Sequence, residues 1–347
     1  MKINYKQTIS ACFIGYIIQA IVNNFVPLLF VTFQKSYSIE LSKITVLITI
    51  NFVIQLCIDL ASAYFIDKIG YRASALIAHG CSAAGLILLT ILPELLPSAY
   101  AGIVISVIIY AIGGGLLEVL LSPIIEACPT ENKEKAMSLL HSFYCWGHMG
   151  VVLLSTAFFA IFGIENWKAL ALIWAAVPVF NGIFFTRVPI YPLVDEGEKG
   201  LTLKQLAASK TFWIMMLMMV CAGASEQSVS QWVSAFAEEG LGVSKTIGDL
   251  AGPTAFAALM GTSRLIYGKL GHRIDINKFM GFSCVLCIAA YLCISIVQNP
   301  AIELISCAVC GFSVGILWPA TFSKASASIK GGGTLLFAML ALAGDLG

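Results

Sequence analysis

Long apolar runs recur along this chain with a regularity that leaves few folds open. They occupy residues 9–33, 44–66, 74–92, 98–122, 137–163, 168–188, 210–237, 248–268, 279–297 and 300–321, and an eleventh begins near Gly333 and ends with the chain at Gly347. A helix needs ~20 apolar residues to cross a hydrocarbon core about 30 Å thick. In lipid every backbone N–H and C=O must be satisfied within the spanning structure, so only helices and closed barrels qualify. The short apolar–polar alternation of barrel strands is absent. The sequence therefore reads as an all-α polytopic membrane protein with ten full spans and a truncated eleventh. Composition agrees, since 59% of residues are hydrophobic and 11% charged, against roughly 25% charged in soluble domains.

The first run, with its "QAIVNNF", is too long and too rich in amides for a cleaved signal peptide, and no small-residue cleavage site follows it. It reads as a retained helix. Lys and Arg then set the orientation. With the N-terminus in the cytoplasm, fifteen of the twenty cations fall on the cytoplasmic side and only Lys35, Lys43, Lys168 and Lys245 opposite, while Arg264 is left inside a span. The expectation is a multi-pass protein of the cell (plasma) membrane with a cytoplasmic N-terminus. The eleven cysteines lie in spans or, for Cys128, in a cytoplasmic loop. A disulfide framework is not expected there. Two CxxC spacings, Cys284/Cys287 and Cys307/Cys310, read as small packing residues rather than a thiolate metal site.

Six spans precede the longest polar stretch, "YPLVDEGEKGLTLKQLAASK", residues 191 to 210, whose "LTLKQLAAS" suits a short helix on the membrane surface. The expected organisation is an N-terminal bundle (1–190), a cytoplasmic linker (191–209) and a C-terminal bundle (210–347). The halves look related. "FIDKIGYR" (65–72) and "IYGKLGHR" (266–273) align at a shift of 201, pairing Lys68 with Lys269, Gly70 with Gly271 and Arg72 with Arg273; Asp67 meets a glycine. "GLLEVLLSP" and "GILWPATFS" align at a shift of 200, setting Trp318 opposite Glu118. Such weak internal symmetry is what repeated transporter halves leave behind.

The "DKIGYR" turn resembles the cytoplasmic loop signature of the major facilitator superfamily, between its second and third spans. The region "GGGLLEVLLSP…LLHSFYCWG" and, more faintly, "VNNFVPLLF" resemble the fucose-permease-like branch of sugar/proton symporters. The resemblance implies two pseudo-symmetric six-helix bundles that rock about a midplane site. It implies a cytoplasmic gate built from Asp67, Lys68, Gly70, Arg72, Lys269, Gly271 and Arg273. It also implies a proton-coupling role for Glu118. The superfamily pattern has twelve spans, so the chain is expected to lack its last one and a half. Proton-coupled members of the branch carry an aspartate shortly after an Asn-Asn pair in the first span; here Asn23 and Asn24 are followed by Pro27 at the corresponding place.

Ionisable and amide side chains inside spans are expensive and normally face a cavity or a partner. Glu118 lies about seven residues from the end of its span, roughly 10 Å deep at ~1.5 Å per residue. A carboxyl group removed from water favours its neutral form and so suits proton exchange; the other reading is an acid hydrogen-bonded within helix packing. Asp59 and His79 fall at similar depth on consecutive spans and are expected to hydrogen-bond, either as a proton relay or as a structural pair. His141 is placed to meet Glu118 or to serve as a satisfied structural histidine. In the seventh span "CAGASEQSVSQWVSAF", Gly223 and Ser225 are expected to weaken the helix before Glu226 and Gln227. Those two, with Gln231 and Trp232, suit a hydroxyl-rich solute unless they merely mark the polar end of a helix. Trp318, beside Pro319 at an expected kink, and Asp345 complete the candidate pathway.

Function follows by class. No nucleophile–base set, HExxH or Walker loop is present, so neither an enzyme nor nucleotide-driven transport is expected. Neither a cofactor nor a metal is expected. The expected partners are a small organic solute, protons and the lipid bilayer, with no nucleic acid, and the expected state is a monomer. The reading is a secondary transporter for a sugar or sugar derivative. The alternatives are an exporter of drugs or other organic solutes, and a non-transporting sensor on a transporter scaffold.

Overall fold

The computed structural model describes residues 5–191, 200–230, 233, 245–271, 273–297 and 299–347. The apolar runs become helices: α1 (Tyr5–Asn24), a 3-10 turn (Val26–Leu29) and α2 (Phe30–Tyr37) for the first, then α3 (Leu41–Ile69), α4 (Tyr71–Leu95), α5 (Ala99–Ala127), α6 (Lys133–Phe162) and α7 (Trp167–Phe185). After the short α8 (Leu203–Ala207) follow α9 (Lys210–Ser230), α10 (Lys245–Leu270), α11 (Ile276–Ile296), α12 (Pro300–Val314), α13 (Leu317–Ser328) and α14 (Gly333–Leu346). Among the described residues nine helical segments are long and apolar enough to cross a membrane. The predicted eighth span is α10, whose 26 residues suffice in length but whose Arg264 and terminal charges dilute its apolar character. Large apolar side chains such as Leu154, Ile161, Phe180 and Val285 are exposed, as lipid-facing surfaces require.

Local chemistry starts and stops these helices. Asp275 accepts the backbone N–H groups of Asn277 and Lys278 at 2.9 and 3.0 Å to open α11, and Asn299 does the same for α12 ahead of Pro300. These side chains satisfy donors that a helix start leaves orphaned. The α8 segment opens with a capping box between Thr202 and Gln205. Between α3 and α4 the chain turns at Gly70, where φ is +86°, a conformation that glycine alone adopts cheaply. Its sequence counterpart Gly271 is not in that region; there a Cβ would come within 2.7 Å of the Tyr267 carbonyl oxygen. The two copies of the motif use glycine for different physical reasons.

Packing gathers the chain into two compact units, Met1–Cys128 with Gly150–Glu196, and Pro129–Met149 with Gly197–Gly347. The start of α6 thus packs with the second unit. In the first unit α5 is the central helix, contacting α1, α3 and α4, and its glycine triplet explains how. A Cβ on Gly113 would meet the Ala78 carbonyl of α4 at 2.6 Å, one on Gly114 would meet Val22 of α1 at 3.2 Å, and one on Gly115 would meet Gln55 of α3 at 3.1 Å. Each glycine admits a different helix. Without a hydrophobic force between helices in lipid, such close van der Waals contact holds a bundle together.

In the second unit α12 packs against both α10 and α11, and α9 against α13 and α14. Cys145, Phe256, Met260, Cys287, Cys307, Cys310 and Val314 share one buried cluster, so these cysteines serve as small core residues. The α9 helix runs unbroken through Gly223 and Ser225, contrary to the weakening expected there. Gly223 instead lets the backbone of α14 approach at Gly344. The discontinuity falls in the tenth span, at Gly315 and Ile316 between α12 and α13.

Candidate functional site

Polar side chains converge at one place in each unit. In the first unit three helices contribute stripes at helical spacing: Tyr16, Gln19 and Asn23 from α1, Asn51 and Gln55 from α3, Glu118 and Ser122 from α5. Gln19 Nε2 donates to Glu118 Oε2 at 2.7 Å. Asn23 Oδ1 accepts from Gln55 Nε2 at 2.8 Å and from Asn51 Nδ2 at 3.4 Å, and the hydroxyls of Tyr16 and Ser122 lie 3.3 Å apart. Gln19 and Gln55 are 3% and 1% exposed, whereas Glu118 keeps some exposure. Beside these contacts Asn23, Pro27, Phe30, Asn51, Phe52 and Tyr110 line a small open cleft of about 30 Å³. Amide groups and aromatic faces in one pocket suit a small polar organic molecule. Asn24 takes no part, since its amide donates to the Ala20 carbonyl of its own helix.

The expected Asp59–His79 hydrogen bond is not the one the His79 ring makes. His79 Nδ1 pairs with the Ala75 carbonyl at 2.6 Å and Nε2 with Asn181 Nδ2 at 2.8 Å. A carbonyl only accepts, so Nδ1 carries the proton and Nε2 accepts from the amide. Asn181 Nδ2 also reaches the Ala11 carbonyl at 3.0 Å, tying α1, α4 and α7 together. Helices adjacent in sequence need not pack, and here α4 lies mainly on α5 and α7 while α3 lies on α5. Asp59 is fully buried on α3.

In the second unit the centre is Arg264, whose acceptors lie too far apart in sequence to show there. Its Nη2 donates to Glu226 Oε2 at 3.1 Å, with side-chain exposures of 4% and 13%. Its Nη1 reaches the His141 carbonyl and Cys145 Sγ, each at 3.1 Å, and its Nε donates to the Gly315 carbonyl at 2.7 Å. That last contact has a covalent cause. In an α-helix the Gly315 carbonyl would accept from the N–H of residue 319, which is proline and has none. Arg264 supplies the missing donor at the break in the tenth span. The ring of His141 stacks on Phe322, 5.7 Å between centroids, and Phe322 stacks on Phe337 at 5.4 Å.

The other predicted residues are placed as follows. Trp318 is 9% exposed, in the first turn of α13, and its ring lies 6.4 Å from Phe322. The Gln227 side chain meets Ser230 Oγ at 3.3 Å, and Asp345 is exposed near the end of α14. Gln231 and Trp232 lie outside the described residues. At the turns, Arg72 donates from Nη1 and Nη2 to the carbonyls of Phe185 and Val188 at 2.6 and 2.9 Å, capping the C-terminal end of α7. Asp67, Lys68, Lys269 and Arg273 are exposed.

Comparison with known proteins places this geometry. The sequence profile of the Major Facilitator Superfamily matches residues 12–347. No curated protein matches the chain in sequence. Among solved structures, FucP in the outward conformation superposes with a TM-score of 0.79 at 15% identity, over 97% of this chain and 88% of that one. The proton:xylose symporter XylE superposes with a TM-score of 0.78 at 14% identity, over 98% and 86%. The human organic anion transporter MFSD10 gives 0.74 at 13% identity, over 99% and 91%. At these identities the likeness is one of fold.

Proposed function

Since the chain belongs to the Major Facilitator Superfamily, we propose that it is a secondary active transporter that carries a small organic solute, a sugar or sugar derivative, by alternating access coupled to protons. The observation that carries the reading is Glu118, an intramembrane carboxyl bonded to Gln19, near the hydrogen-bonded amides of Asn23, Asn51 and Gln55 and their cleft of amides and aromatics. Protonation of Glu118, which when ionised can only accept, adds an O–H donor to it. To accept from that donor the Gln19 amide turns its oxygen toward Glu118, which gives the pair two arrangements. The fold it shares with FucP and XylE, both proton-linked sugar carriers by description, supports the same reading. The two bundles, residues 1–190 and 210–347 joined by 191–209, rock about the site, with the start of α6, which packs with the second unit, following that unit. Asp67, Lys68, Gly70 and Arg72 act at the cytoplasmic gate with Lys269, Gly271 and Arg273. The solute pathway takes in Asn23, Glu226, Gln227, Gln231, Trp232, Trp318 and Asp345. The protein works as a monomer in the plasma membrane with its N-terminus in the cytoplasm.

The test is uptake of labelled sugars into proteoliposomes under an imposed pH gradient. The gradient is expected to drive accumulation in the wild type. In Glu118→Gln the gradient stimulation disappears, while exchange of solute for solute persists. Gradient-driven accumulation undiminished in Glu118→Gln overturns the role given to Glu118.

A further inference from the structure

Arg264 is the one buried cation among the described residues, and its guanidinium is held from two sides before its acid partner is considered. Nε is fixed on the Gly315 carbonyl and Nη1 on the His141 carbonyl and Cys145 Sγ. The Nη2 edge is turned to Glu226 at 3.1 Å, longer than the ~2.7–2.9 Å usual for charge-assisted bonds. A buried ion pair seldom repays its desolvation as stability, and intramembrane ionisable groups mark solute or ion pathways. A planar guanidinium held rigidly is the group best matched to a carboxylate.

We propose that Arg264 is the binding site for a carboxylate on the transported solute, and that Glu226 occupies it as an internal stand-in when no solute is bound. This deepens the transport reading above and rests on it for the word "transported". The solute is then an acidic sugar derivative of the uronate class rather than a neutral sugar. Entry of its carboxylate turns Glu226 away, and the guanidinium stays in place because Gly315 and His141 hold it. Glu226 is thus a competitor for the site, which a purely structural partner would not be.

That competition makes a gain of binding the test. Calorimetric titration of the full chain, purified in detergent, with glucuronate, its methyl ester and glucose measures affinity without requiring transport. Glu226→Gln removes the competitor and is expected to bind glucuronate about tenfold more tightly, equivalent to 1.4 kcal/mol, with no gain for the ester or glucose. Arg264→Lys keeps the charge but loses the fork and is expected to bind glucuronate at least tenfold more weakly. Glu226→Asp, with a shorter reach, is expected to fall between wild type and Glu226→Gln, and it keeps the test open should the glutamine variant not fold. Glucuronate bound no more tightly by a folded Glu226→Gln or Glu226→Asp overturns the proposal, as does an equal gain for the methyl ester. Tight binding with no uptake into vesicles upholds the site and counts against the transport reading instead.

Discussion

Replacing Arg264 by methionine tests how the second unit is held together, and the structure sets the scale of the effect. The substitution leaves Glu226 as a buried carboxylate without its cation and the Gly315 carbonyl without its donor. Removing one member of a buried ion pair costs ~3–5 kcal/mol, and an unsatisfied buried carbonyl ~1–3 kcal/mol. The effects overlap, so Arg264→Met is expected to lose about 3–5 kcal/mol of stability. Adding Glu226→Met removes the stranded charge and is expected to recover all but the ~1–3 kcal/mol of the carbonyl. Adding Pro319→Ala as well restores the N–H that an α-helix would aim at Gly315, and most of the remainder should return. Reversible chemical unfolding in detergent micelles, followed by tryptophan fluorescence, measures the series. The reasoning is refuted if the double variant is no more stable than Arg264→Met, or if Pro319→Ala stabilises the Arg264 wild type as much as it stabilises the variant.

Two further expectations concern packing and caps. Gly113→Ala places a methyl group within 2.6 Å of the Ala78 carbonyl and is expected to cost ~1–3 kcal/mol through overpacking, whereas alanine at Gly150, in α6 with nothing within 4 Å, is expected to gain up to ~1 kcal/mol of helix propensity in the same unfolding assay. The Asp275 carboxyl, outside the membrane, is held below its ordinary value chiefly by the Lys278 N–H it accepts. A depressed value means that its stabilising effect is present above the unfolded-state value and is lost as pH falls through the folded one. Thermal unfolding below about pH 4 should therefore weaken the wild type more than Asp275→Asn, which caps without titrating.

The spans were legible because each must supply its own apolar length, a property of contiguous residues. Glu118 was legible for the same reason, as a charge where none is cheap. What the sequence could not convey was partnership. The Asp59–His79 pairing was inferred from equal depth on a hairpin, and failed because α4 chose α5 and α7 as neighbours. Asn181, the partner His79 has, lies 102 positions away. The break was expected near Gly223, on the view that glycine weakens a helix, but close approach at Gly344 uses that glycine. The expected kink at Trp318–Pro319 was nearer the mark, and the carbonyl that Pro319 leaves without its helical donor, four residues before it, is the signal that could have pointed to Arg264. A lone arginine inside a span asks for acceptors, and here they come from α6, α9 and the α12–α13 break.

The central claim is that solute and proton move together through Glu118. Its most direct test is a pH-sensitive dye trapped in proteoliposomes, with solute added outside and no gradient imposed. The wild type is expected to acidify the lumen as solute enters, and Glu118→Gln to admit solute by exchange with no pH change. Solute entry with a silent dye in the wild type, or equal acidification by Glu118→Gln, contradicts the account.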